Sequence, residues 1–228
     1  MQLTFPAESD AYRAARAALF DKEIALRRAI EDVAQARRAL PPGGPVPEDY
    51  VFHECDEARV TRDVRMTDLF GDLMTLVVYS YMFGPDSDPC PMCTPLRDGL
   101  NGVEDHVRQR LSLVVVAESS PQRLWEWRRR RGWQRLRLVS SAGTTYNRDY
   151  HGKTAEGHDT TMLNMFHRNP EGIRHFWGTE MAHGPEDPGQ HHRGLDMVNP
   201  VFNLLDMTPE GRGDFTTSLD YADRRAGS

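Results

Sequence analysis

Two apolar runs constrain this chain more than any other feature: LMTLVVYSYMF (residues 73–83) and LSLVVVA (residues 111–117). Both are dominated by β-branched, aliphatic and aromatic residues with little polar alternation, the pattern of strands covered on both faces. Residues 84–110 between them have room for a helix, and strand–helix–strand in that order is a right-handed crossover joining parallel strands. The pattern then repeats. SPQRLWEWRRRRG (120–132) reads as a second crossover helix, with Ser120 as N-cap, Pro121 in the first turn and Gly132 at its C-terminal end. YVFHEC (50–55), LRLVSS (136–141), TTMLNMFHR (160–168) and GIRHFWGTE (172–180) supply further strands, and TDLFGD (67–72) a short helical turn. The expected class is α/β, a mixed sheet flanked by helices.

Upstream the period changes. Tyr12, Leu19, Leu26, Val33 and Leu40 recur at seven-residue spacing, with Ala15, Ala29 and Ala36 three positions after members of the series, so residues 8–40 read as one long helix with a single apolar stripe. Such a stripe calls for cover. Packing on its own domain is the expectation, and a homodimer through the N-terminal helix is the alternative. PPGGPVPEDY (41–50) breaks the helix and works as a linker, which divides the chain into an N-terminal helix and linker (1–44) and a globular domain with a C-terminal extension (45–228). The extension carries the apolar patch LDMVNPVFNLLDM and ends in the turn-rich TPEGRGD.

Composition excludes several roles. A net charge of −6 argues against nucleic-acid or anionic-membrane partners, and no run approaches the roughly 18 apolar residues of a membrane span. WEWRRRRGW (125–133) sets four arginines beside three tryptophans, but at the end of a helix, where basic residues complement the dipole. The first twenty residues lack the basic and apolar regions of a secretion signal, so the expected location is cytoplasmic. Three cysteines are too few for a disulfide framework in a reducing compartment.

That leaves the close pair in MFGPDSDPCPMCTPLRDGL (82–100) to explain. Cys90 ends the loop after the longer apolar run, and Pro91 is expected as the first helical residue. A thiol there faces free backbone N–H groups and the positive end of the helix dipole, both of which favour its thiolate. Cys90 is therefore the expected nucleophile and Cys93, one turn further in, the resolving thiol. Arg97 follows them by seven and four residues, on the same helical face, where it can hold a thiolate, while Asp86 and Asp88 would oppose one if close. Two competing readings stand beside this one. The pair is half of a zinc site completed by histidines, His183, His191 and His192 or His151 and His158, or it simply packs. Cys55 reads as a small core residue. The histidine cluster itself reads as a surface loop, with a gate or proton relay over the cysteines as its functional alternative. A Cys-x-x-Cys pair between strand and helix of a βαβ unit is the signature of a thioredoxin-like redox motif.

The order of motifs, MFGP, CPMC, LVVVA, Arg131-Gly132-Trp133, Val139-Ser140-Ser141, Arg193-Gly194-Leu195-Asp196 and LLDMTPEGR, resembles a bacterial domain-of-unknown-function family assigned to the thioredoxin-like superfamily. That family is akin to the alkyl-hydroperoxide-reductase and thiol-specific-antioxidant proteins. The resemblance runs from about Tyr50 to Gly213 and implies a thioredoxin-like mixed sheet flanked by helices, with the cysteine motif on Cys90 and Cys93. It brings no established activity. The chain departs from the wider group in three places. Ser87 holds the hydroxyl position of the peroxiredoxin loop, but Phe83 stands where that loop has proline. Thr160 and Thr161 precede the strand that faces the cysteines, where thioredoxins carry proline. Tyr79 and Tyr81 replace a buried acid on the central strand. The expected function is a thiol–disulfide oxidoreductase using Cys90 and Cys93, supported by Pro91, Arg97, Thr161 and Arg193, without metal or cofactor. Its expected partners are a thiol, disulfide or hydroperoxide substrate and an external dithiol reductant. A peroxiredoxin-like peroxidase and a redox-inert binding or zinc-binding module are the alternatives.

Overall fold

The computed structural model describes residues 3–219. They fall into two compact units, one running through Pro42 and the other beginning at Gly43.

The first unit is a single helix, α1 (Asp10–Arg38), started by Ser9, whose side-chain oxygen accepts the Tyr12 N–H at 3.1 Å. The seven-residue stripe lies along it and is uncovered, with Tyr12, Leu19, Leu26 and Val33 between 48% and 60% exposed. The expectation of local burial is not met.

The second unit is built on seven strands: β1 (Val51–Cys55), β2 (Thr61–Arg65), β3 (Thr75–Ser80), β4 (Ser112–Ala117), β5 (Arg137–Ser140), β6 (Met162–Asn169) and β7 (Gly172–Gly178). Their order across the sheet is β2-β1-β5-β4-β3-β6-β7. β3, β4 and β5 are parallel, joined by α3 (Thr94–Val107) and α4 (Pro121–Arg131), while β6 lies antiparallel to β3 and β7 antiparallel to β6. A βαβ crossover followed by an antiparallel hairpin on the far side of its first strand, with a Cys-x-x-Cys pair at the first strand-to-helix junction, is a thioredoxin-like arrangement. Short helices α2 (Met66–Leu69), α5 (Tyr146–Asp149) and α6 (Pro200–Leu205) complete the unit. Among the described residues no helix is long and apolar enough to cross a membrane.

The period of two in the central strands divides the core. Val77 and Tyr79 of β3, continuing to Tyr81, and Leu113, Val115 and Ala117 of β4 pack beneath α3 and α4. Leu76, Val78, Val114 and Val116 face the opposite side, against Phe52, Phe70, Tyr146 and Phe166. Continuous apolar runs are what two covered faces require.

Two elements differ from the sequence reading. VTRDVR contains β2, an edge strand with one buried residue, Val64, so it lacks the apolar signal of the inner strands. The segment read as a linker is partly sheet: Val46 donates to the Ile173 carbonyl at 2.9 Å and His175 to that of Gly44 at 3.0 Å, extending the β7 edge. A Cβ on Gly43 would lie 2.0 Å from the His175 carbonyl oxygen, so only glycine allows this approach.

Candidate active site

The chain leaves β3 through Tyr81 and Phe83, both buried, and turns through residues 84–89. The Ser87 hydroxyl closes that turn by accepting the Gly84 N–H at 2.8 Å. The Arg123 guanidinium of α4 then gathers three of the turn's carbonyls, those of Gly84, Pro85 and Ser87. Cys90 follows with its N–H bonded to the Met82 carbonyl at 3.0 Å.

Pro91 is not the first helical residue. Cys90 to Cys93 form a separate turn and α3 starts at Thr94, with Pro95 in its first turn. The Thr94 backbone N–H and hydroxyl both donate to the Cys90 carbonyl, at 3.2 and 2.8 Å, and the Cys93 N–H points at the Cys90 sulfur at 3.2 Å. The free N–H groups of the helix start therefore do reach Cys90, through a turn rather than a proline-started helix. Donor accounting fixes the direction of the chain behind it. Trp127 Nε1 donates to the Tyr81 hydroxyl (3.1 Å), Tyr81 to Thr94 (2.8 Å), and Thr94 to the Cys90 carbonyl.

Cys90 is partly exposed, whereas Cys93 is 8% exposed and lines the core under α3. Arg97, one turn on, is fully buried. Its guanidinium carbon sits 3.7 Å from the Tyr79 ring centre and 3.9 Å from that of Tyr81, between two aromatic faces. One Nη donates to the Cys93 carbonyl, while Nε and the other Nη have no partner at hydrogen-bond geometry among the described residues. No carboxylate pairs with this cation among them either. An uncompensated buried charge is costly, and the Arg97 charge favours the thiolate of Cys93, whose carbonyl it binds.

The acidities agree. Cys93 is pulled down to about 6, chiefly because the Cys90 thiol donates to its sulfur, and further by the Arg97 charge and the Tyr79 hydroxyl, against the opposing effect of burial. Cys90 is pushed up, first by giving its proton to that hydrogen bond and then by burial. The two directions are those of a pair that shares one proton, with the Arg97 charge favouring the thiolate on Cys93. Burial drives the Tyr79 and Tyr81 hydroxyls upward, which keeps both as neutral donors. Tyr79 also meets the Thr161 hydroxyl, and Thr161 donates to the Ser80 carbonyl at 3.4 Å. His183 Nε2 donates to the Thr161 carbonyl at 3.1 Å, which ties one residue of the histidine cluster to this strand end.

Arg193 is bound elsewhere. It sits at φ +53° in the C-terminal extension and pairs with Asp206 (2.6 Å) and Asp196 (3.3 Å), carboxylates that it shares with Arg212. Cys55 lies on β1 with its thiol toward the Asp56 carbonyl. Among the described residues no three His, Cys, Asp or Glu side chains converge as a metal site would require. The arginines of WEWRRRRGW are engaged within the chain: Arg128 and Arg129 with Glu57, and Arg131 with Asp98, which also accepts Trp133 Nε1 at 2.7 Å.

One contact escaped the sequence reading. The C-terminal extension crosses the CPMC turn, where the Thr217 hydroxyl donates to the Pro91 carbonyl and its N–H to the Met92 sulfur at 3.4 Å. Leu219 packs, like Cys90, against the core cluster that contains Cys93, and Arg131 binds its carbonyl at 3.1 Å.

Fold and dithiol together define a thioredoxin-like protein with a Cys-x-x-Cys pair at a helix start. The chain belongs to a family described as bacterial protein of unknown function (DUF899), whose model matches residues 2–226. No curated protein matches its sequence. Among solved structures it is similar to the reduced 2-Cys peroxiredoxin of Plasmodium vivax (10% identity, 82% of this chain and 98% of that one, TM-score 0.47). It is similar also to AhpC of Enterococcus faecalis (13%, 73% and 94%, 0.46) and to the peroxidoxin BcpB of Mycobacterium tuberculosis (15%, 73% and 98%, 0.45).

Proposed function

We propose that the protein is a thiol–disulfide oxidoreductase in which Cys90 meets the substrate and Cys93 closes or opens an internal disulfide. The observation that carries this reading is the buried Arg97 guanidinium, which has no carboxylate partner among the described residues and is bonded to the Cys93 carbonyl beside the cysteine pair. A thiolate kept near neutral pH is the species that attacks sulfur. Exposure supports the division of labour, since a substrate reaches the partly exposed Cys90 before the buried Cys93. When the shared proton moves from Cys90 to Cys93, the charge transfers to the outer sulfur, where the Cys93 N–H stabilises it. Phe83, buried where the peroxiredoxin loop carries proline, favours this reading over a peroxidase.

The test is redox titration with glutathione. Reduced protein is equilibrated at increasing ratios of oxidised to reduced glutathione, quenched with acid, alkylated and analysed by mass spectrometry. The expected result is loss of two free thiols in one step, mapped to a Cys90–Cys93 disulfide and reversed by dithiothreitol. Both cysteines remaining alkylatable at every ratio would contradict the proposal.

A further inference from the structure

We propose that the Cys90–Cys93 pair is a thiol oxidant: its disulfide takes electrons from the thiols of proteins or small molecules, and the reduced pair is its favoured state. This rests on the reading of the pair as redox-active and adds the direction of electron flow and the substrate class.

Charge compensation at Arg97 sets the direction. Its guanidinium lies between Tyr79 and Tyr81, whose hydroxyls stay neutral, and acts on the Cys93 sulfur. In the dithiol state one thiolate balances the guanidinium. Closing the disulfide consumes that thiolate and leaves a fully buried cation with no other anion at hand among the described residues. A buried charge stripped of its partner destabilises the folded chain. The cost falls on the disulfide state alone, so reduction relieves it and the potential of the couple rises. A structural disulfide does the opposite and stabilises the fold that holds it.

A substrate thiolate attacks the Cys90 sulfur, the Cys90–Cys93 bond breaks, and Cys93 departs as a thiolate beside Arg97. Its lowered pKa makes it a good leaving group. A second substrate thiolate attacks the substrate sulfur of the mixed disulfide, releasing the substrate disulfide and the Cys90 sulfur. Two electrons enter the pair; of the two substrate protons one stays on it and one goes to solvent. Turnover uses a stronger disulfide oxidant, reduced to two thiols as the pair closes again.

Two measurements on the full chain decide the matter. Thermal unfolding of the fully reduced and fully oxidised protein at pH 7 is expected to give the higher midpoint for the reduced form; a higher midpoint for the oxidised form overturns the proposal. In the glutathione titration, Arg97→Met is expected to shift the equilibrium at least roughly tenfold toward the disulfide, about 30 mV for a two-electron couple, and an unchanged constant overturns it. If Arg97→Met fails to fold, the wild-type midpoints still decide. A disulfide that forms but stabilises the fold defeats the oxidant assignment and leaves the redox reading intact, whereas failure of any disulfide to form defeats both.

Discussion

A guanidinium carries five N–H donors and a permanent charge, so burying one without a carboxylate demands another anion nearby. Arg97 meets that demand with a proton shared unequally between two thiols. Cys90→Ala removes the donor that contributes most to the Cys93 acidity, so the Cys93 thiolate absorbance at 240 nm is expected to appear at distinctly higher pH than in the parent protein; an unmoved midpoint would assign the effect to Arg97 alone. The spacing of Arg97 from the cysteines was legible because helical geometry alone sets which residues share a face. Its complete burial between two tyrosines was not, since periodicity reports a face and not what covers it. Thr94 and Trp127 were invisible for a similar reason: their roles depend on a hydrogen-bond chain that runs from one crossover helix to the other through Tyr81.

At the scale of elements, the strands and crossover helices were readable because continuous apolar runs, an N-cap serine and a terminal glycine are local signals. Gly132 ends α4 at φ +71°, in the left-handed region. Gly132→Ala is expected to cost about 1–2 kcal/mol and to lower the melting temperature by several degrees in calorimetry. β2 and the strap that Thr217 forms over the CPMC turn were not readable, one for want of apolar residues and the other because Thr217 and Pro91 lie 126 residues apart in sequence. Thr217→Val keeps the shape of that side chain and deletes its donor. The expected outcome is a severalfold faster alkylation of Cys90 by iodoacetamide with an unchanged melting temperature; an unchanged rate would show that the strap does not restrain the turn.

For the whole molecule, the dithiol links folding to pH. Cys93 titrates in the folded state near 6, below an unfolded thiol at about 8.5, so the unfolded chain binds the extra proton between those values and stability rises with pH across them. That contribution is complete above the unfolded value and lost as pH falls through 6. Cys90 is raised in the folded state, so its contribution is complete below the unfolded value and lost as pH climbs beyond it. The melting temperature of the reduced protein is therefore expected to climb from pH 6 toward 8.5, and Cys93→Ser to flatten the climb; equal slopes would contradict the linkage. A buried cation that holds one thiolate in the reduced pair sets the pH dependence of alkylation of the reduced wild-type chain, which mass spectrometry follows. One cysteine reacting with a midpoint near pH 6 is the expected result, and a pair that stays unreactive until the free-thiol range near 8.5 would contradict it.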